Sequence, residues 1–233
     1  MGAGRAGGAD LRPADRLSRK GTPLEVLPVD GRQPDPGVVA RAAAVLARGL
    51  LLVYPTDTLY ALGGRALDPT VSARVRAAKG RDDGKPLPVI AADEAQARTL
   101  AAAWGGPVGR LAVRFWPGPL TLVLPSAPSV PRELNSGTGT IAVRVPDLAL
   151  ARALCQAAGP LVSTSANLSG QAPPRTCAEA VGAVGPAAAL ALDGGPGREA
   201  ASTIVSLAGP EPVLVRAGAV AWEDVRATLA AGR

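Results

Sequence analysis

The sequence predicts one α/β domain: a twisted, mixed β-sheet with flanking helices. Strand-length apolar runs alternate with helix-spaced segments from residue 24 onward. No long linker and no internal repeat breaks that alternation. Size agrees, since 233 residues that are 47% hydrophobic suffice for a sizeable core. Aromatics are only 3%, so the core must come from Val, Leu, Ile and Ala.

Residues 1–23 are rich in Gly, Ala and Arg and lack periodicity, which reads as a disordered tail. The domain then runs over 24–233. Val38, Ala42, Val45 and Leu46 recur at helical spacing and predict a helix over 36–48. Residues 50–54 form an apolar run stopped by Pro55, a strand buried on both faces. A helix follows over 70–78 and a strand over 87–91. Asp93 is placed to cap a helix running to about residue 103, and 108–115 makes another. Strands are expected at 120–124 and 141–145, on either side of a loop rich in Pro, Ser and Gly. A helix at 148–157 leads into a strand at 161–164. Further strands fit 188–192, 203–207 and 213–215, and a helix fits 222–230.

Composition excludes several chemistries. There is no histidine, which removes Ser-His-Asp and Cys-His nucleophiles and all His metal sites. No metal-ligating cluster is expected. Cys155 and Cys177 lack CxxC spacing and read as buried thiols of a cytoplasmic protein. The longest uncharged stretch, 153–174, carries Ser, Thr, Asn and Gln and is no membrane span. The N-terminus has no apolar signal core. Net charge is +6. Part of it lies in the tail, where Arg5, Arg12, Arg16, Arg19 and Lys20 face Asp10 and Asp15. So few aromatics make a poor nucleic-acid module, and an anionic small ligand in a basic cavity fits at least as well.

In α/β folds, polar loops after strands line the ligand crevice. Four such segments stand out. Tyr54-Pro-Thr-Asp-Thr-Leu-Tyr presents Thr56, Asp57, Thr58 and Tyr60 at a strand end, suited to a polar ligand such as an amino acid, or to a simple cap before a turn. Lys79-Gly-Arg-Asp-Asp-Gly-Lys-Pro fails as a Walker A motif, because three residues separate Gly80 from Gly84 and Pro86 follows Lys85. It retains a Lys79, Arg81, Lys85 cluster suited to phosphate oxygens, or to a solvated charged loop. Ser163, Thr164, Ser165, Asn167 and Ser169 crowd one loop, either donors for an anion or nucleobase or an ordinary Ser-rich turn. Arg144 and Arg216 interrupt apolar strands, and a buried Arg needs an acidic partner or an anionic ligand. Ser202-Thr203 precedes another strand.

Taken in order, PTDTLYALG, KGRDDGKPL, PGPLTLVLP, IAVRVP, STSANLSGQAP, DGG with ST-I-V, and VRAGAV resemble the YrdC-like family of L-threonylcarbamoyladenylate synthases. They span 55 to about 220. The resemblance implies a single domain with a basic concave cavity. It implies the reaction of L-threonine, hydrogen carbonate and ATP, used with Mg²⁺, to threonylcarbamoyl-AMP, pyrophosphate and water. The product would feed a separate transferase complex that makes tRNA threonylcarbamoyladenosine. Residue by residue, Thr58, Tyr60, Arg144 and Ser202 match the threonine side, with Ser202 between the two substrates. Lys79, Arg81, Ser165, Asn167 and Arg216 match the nucleotide side, with Lys79 and Arg81 as the catalytic pair. No protein nucleophile is needed, so the missing histidine is no handicap; positioning and charge stabilisation suffice.

The sequence departs from the family where Ala61 replaces a frequent Gly and Asp82 a frequent Pro. Asp82 and Asp83 place two negative charges beside the phosphate cluster, either to help hold Mg²⁺ or to weaken ATP binding. The chain stops soon after the 222–230 helix, so the extra C-terminal domain of longer relatives is not expected. Two alternatives stay open: a YciO-like paralogue with weak or reversed activity on threonylcarbamoyl groups, and a protein of double-stranded RNA binding or ribosome maturation. Weak RNA binding by the basic face is compatible with each.

Overall fold

A computed structural model describes residues 24–80, 84–197 and 200–231. The expected tail lies outside them, as do Arg81, Asp82 and Asp83. The chain opens with β1 (Val26–Pro28), α1 (Pro36–Ala47), β2 (Leu51–Pro55), β3 (Tyr60–Gly63), α2 (Pro69–Ala78) and β4 (Val89–Ile90). It continues with α3 (Glu94–Arg98), α4 (Gly106–Phe115), β5 (Leu120–Pro125), α5 (Arg132–Asn135), β6 (Thr140–Arg144) and α6 (Ala149–Ala158). It ends with β7 (Leu161–Val162), β8 (Thr164–Ser165), α7 (Cys177–Val184), β9 (Ala188–Asp193), β10 (Thr203–Ser206), β11 (Val213–Arg216) and α8 (Trp222–Ala230).

Several helices start where the sequence marks them. Asp35, Asp68 and Asp93 accept hydrogen bonds from the backbone N–H groups of Val38, Thr70 and Gln96. Pro36 and Pro69 occupy first-turn positions that need no N–H. The helix from Asp93 stops at Arg98, well short of 103. There the sheet takes over: Ala101 bridges to Ser126, and Ala102 N–H donates to Pro125 O at 2.8 Å.

The mixed strands form two sheets, in the orders β1-β9-β2-β3-β8 and β11-β10-β5-β6-β4-β7. The chain crosses between them within five residues. The expected strand at 161–164 is two short strands, β7 paired to β4 in the second sheet and β8 paired to β3 in the first. Ser163 sits at the crossing, its N–H donating to Pro88 O at 2.8 Å. The seam is tight: a Cβ on Gly63 would lie 1.7 Å from Val162 O, so only glycine fits.

Side-chain alternation on the second sheet separates core from cavity. Leu120, Leu122, Leu124, Ile141, Val143 and Val205 join a core that draws residues from both sheets. Their neighbours Thr121, Val123, Ala142, Arg144 and Ile204 line a cavity instead. A second core packs Leu52, Tyr54 and Leu190 against Ala42 and Leu46 of α1 and Leu150 and Leu154 of α6. Among the described residues no helix is long and apolar enough to cross a membrane.

Both cysteines are buried, as expected. Burial, with the Asp193 charge adding to it, pushes the Cys177 thiol up to about 11, and burial raises Cys155 as well. The thiolate is the reactive form, so a raised pKa removes it at neutral pH. Native protein at pH 7.5 should therefore leave both thiols unmodified by a maleimide, while denatured protein takes two equivalents; mass spectrometry reads the difference. Rapid labelling of native protein would reveal local opening around α6 or α7.

Candidate active site

The cavity has a volume of about 390 Å³ and lies where the two sheets meet. The first sheet supplies the β2–β3 turn. Thr56 folds it, donating from Oγ1 to Leu59 O at 2.8 Å while accepting from Thr58 N–H and Leu59 N–H, each at 3.2 Å. Its hydrogen is thereby spent, so the 3.0 Å contact with Thr58 Oγ1 is donated by Thr58.

The second sheet supplies Arg144, at the end of β6. Arg144 and Asp57 form an ion pair with side chains only 7% and 2% exposed, Nη1 donating to Asp57 Oδ1 at 2.7 Å. Nη2 donates to Thr58 Oγ1 at 3.3 Å. Arg144 thus has the acidic partner its burial requires, and it still lines the cavity with N–H donors to spare. Arg216 differs. It donates from Nε and Nη2 to Ser202 O at 3.1 and 2.7 Å and from Nη2 to Ser202 Oγ at 3.0 Å. No carboxylate meets it among the described residues. Partial burial and the Arg144 charge pull its pKa down from the ordinary guanidinium range. With the Arg144 charge offset by Asp57, Arg216 leaves this cavity with a net positive charge among the described residues, which favours an anion.

Gly218, in the Val-Arg-Ala-Gly segment, lets the chain after β11 approach Ser202. A Cβ there would fall 2.5 Å from Ala201 O, Ser202 C and Thr203 N.

Of the residues singled out in the sequence, Thr58, Tyr60, Arg144, Ser165, Ser202 and Arg216 line this cavity together. Tyr60 turns its hydroxyl elsewhere: it reaches Gly195 O at 2.6 Å and Asp193 Oδ1 at 3.1 Å and accepts from Gly194 N–H at 3.1 Å. Lys79 and Asn167 do not line the cavity; both are buried beside the loop that follows β8. Lys79 Nζ donates to Ser165 O at 2.5 Å and Asn167 O at 2.6 Å, and Lys79 O accepts from Ser169 N–H at 3.0 Å. Asn167 Nδ2 donates to Leu168 O and Gln171 O at 2.9 and 2.8 Å, while its buried Oδ1 has no partner among the described residues. Lys85 is exposed. Arg81 lies outside the described residues.

Residues 44–218 match the family model Sua5_yciO_yrdC, whose description is Telomere recombination. The chain belongs to the Sua5/YciO/YrdC family. Threonylcarbamoyl-AMP synthase from Bacillus subtilis is 37% identical over 194 residues, 82% of this chain and 56% of its own. Sua5 from P. abyssi complexed with L-threonine superposes with a TM-score of 0.83 at 34% identity, over 87% of this chain and 60% of its own. E. coli YciO superposes with a TM-score of 0.78 at 27% identity, over 85% of this chain and 97% of its own. This Sua5/YciO/YrdC chain thus spans little more than half the length of the first two and nearly all of the third. The fold of the family is the two-sheet α/β architecture described above.

Asp57 is among the strand-end residues the sequence presents, without a role of its own; Thr121 is not picked out by sequence at all. Asp57 was visible at its strand end, but its partner lies 87 residues away. Thr121 carried a fainter signal, the one polar residue in Leu-Thr-Leu-Val-Leu.

Proposed function

We propose that this protein is an L-threonylcarbamoyl-AMP synthase, acting on L-threonine, hydrogen carbonate and ATP. The observation that carries the reading is Arg144, held by Asp57 and Thr58 with its remaining fork toward the cavity. A planar guanidinium matches the threonine carboxylate, and Thr58 Oγ1 keeps a lone pair for the amino acid's own donors. The amine then attacks hydrogen carbonate, water leaves, and a carbamate forms. A carbamate oxygen attacks the α-phosphorus of ATP, and pyrophosphate departs. Arg216 faces the phosphates, and Ser165 and Asn167 serve the nucleoside end. Lys79 brings a buried positive charge behind that loop, with Arg81 two residues on in sequence.

ATP is used as its Mg²⁺ complex. Phosphate oxygens and water supply most of the coordination of such an ion, so it asks for few protein ligands. The product passes to a separate tRNA threonylcarbamoyl transferase complex, and the work is cytoplasmic.

Mass spectrometry of a purified reaction tests this reading. Threonylcarbamoyl-AMP and pyrophosphate are expected only when all three substrates are present. No synthesis, with breakdown of supplied threonylcarbamoyl-AMP, favours the YciO-like alternative. RNA binding that falls steeply with salt and ignores ATP favours the RNA reading. Arg144→Lys keeps the charge but loses the fork, so the threonine KM should rise more than the ATP KM in steady-state kinetics. Equal threonine KM values in a folded variant would move the carboxylate clamp to another residue.

A further inference from the structure

Two hydroxyls and a guanidinium meet at the cavity between the threonine and nucleotide sides. Thr121 Oγ1 and Ser202 Oγ share a hydrogen bond of 2.9 Å. Both residues are buried, at 4% and 8% exposure, and both line the cavity. Ser202 Oγ also accepts from Arg216 Nη2. Proton counting is decisive here. The pair owns two O–H hydrogens and its mutual bond uses one. No other acceptor takes the second among the described residues, so one O–H remains to donate into the cavity. Arg216 Nη1 keeps its hydrogens as well, since the bonds to Ser202 run from Nε and Nη2. The group is therefore rich in donors, and an anion is its natural ligand.

Register places it. Thr121 pairs with Ile204 across β5 and β10. On its other side Leu122 pairs with Val143, so continuing that antiparallel ladder by one residue sets Thr121 opposite Arg144. Thr121 thus stands between Arg144, which takes the amino-acid carboxylate, and Arg216, which faces the nucleotide, with Ser202 between the two substrates. Val123, Ala142, Ile204 and Val215 surround it with apolar wall. A small anion of few oxygens suits that place, and the chemistry requires the one-carbon unit between the threonine amine and the α-phosphorus.

We propose that Thr121, with Ser202 and Arg216, forms the binding subsite for hydrogen carbonate. The assignment rests on the synthase reading and names where its smallest substrate sits. Thr121 is its new member, held rigidly in mid-strand.

Thr121→Val tests it, as an isostere that keeps strand preference and loses the hydroxyl. In degassed buffer, the hydrogen carbonate KM should rise about tenfold, the size of one lost hydrogen bond. The threonine and ATP KM values should stay within about twofold, since neither substrate loses a contact. Thr121→Ser should restore most of the loss. Three unchanged KM values would make Thr121 a packing residue and overturn the subsite. A rise in the ATP KM instead would reassign it to phosphate. Nitrate, a planar three-oxygen anion, reads the subsite without turnover: against matched chloride it should raise the melting temperature of the parent protein but not of Thr121→Val. Equal shifts would overturn the subsite even in an active enzyme, whereas a nitrate effect confined to the parent in a protein that makes no threonylcarbamoyl-AMP would overturn only the synthase reading.

Discussion

Replacing Asp57 with Ala should destabilise the protein by about 2–3 kcal/mol, somewhat less than the 3–5 typical of a broken, fully enclosed ion pair because the cavity admits water. The reason is what remains behind. Arg144 is 6% exposed and would keep its charge with no acidic partner among the described residues. Thr58 alone, at 3.3 Å, is a weak substitute. Chemical denaturation measures the loss. A companion experiment identifies the cause: the truncated side chain leaves room for a small carboxylate, so formate should raise the melting temperature of Asp57→Ala more than that of the parent protein. An unchanged stability would mean that the Asp57–Arg144 pair contributes no more than its own desolvation costs. Asp57→Asn, which retains a hydrogen-bonding oxygen at the same place, should fall between the two.

The second large effect is expected for Lys79→Ala, and it is double. Nucleotide binding should weaken by about 1.5–3 kcal/mol, because the charge-assisted hydrogen bonds that hold the Ser165 and Asn167 carbonyls in place are lost. Stability should fall too, because Lys79 is a fastener. Its ammonium holds the carbonyls of Ser165 and Asn167, and its own carbonyl holds Ser169. Removing it frees the loop on which Ser165 and Asn167 are carried. Calorimetry with ATP and a thermal melt separate the parts. A variant that binds ATP normally but melts early would make Lys79 purely structural; one that melts normally but binds no ATP would make the carbonyl contacts incidental. Lys79→Arg should rescue little, since a planar fork does not fit two converging carbonyls as an ammonium does.

How much could be read beforehand depended on range. The helix starts are local: α1 begins at Pro36, as read from the periodicity, and α2 at Pro69, one residue before the expected 70. Arg144 announced itself by charge alone, as a cation inside an apolar strand. Its partner could not be read, because the distance between Asp57 and Arg144 along the chain is closed only by sheet assembly. The same holds for β3. Its four residues follow a polar turn and look like loop, yet all are buried once paired with β2 and β8. The 161–164 run was read as one strand because its residues are uniformly strand-like. Only the presence of two sheets, one claiming Leu161 and Val162 and the other Thr164, divides it. Thr176 caps α7 through its Oγ1, a helix missed because its Ala- and Gly-rich stretch gives no clear amphipathic period. Lys79 was legible as a charge near a Gly turn, but its burial was not, because the loop that covers it lies some 86 residues on.

The seam at Ser163 has a mechanical consequence. One sheet carries Thr58 and Asp57, the other Arg144, Thr121, Ser202 and Arg216, so neither half holds a site by itself. The covalent crossing there is short, and the Asp57–Arg144 pair is a noncovalent clasp across the same gap. A substrate seated between Thr58 and Arg144 acts as another clasp. Its binding energy then falls on the relative motion of two stiff plates, and its effect is read far from the ligand. Amide exchange should slow along both β3 and β6 when threonine binds, in equal measure, because loosening either plate opens the same gap.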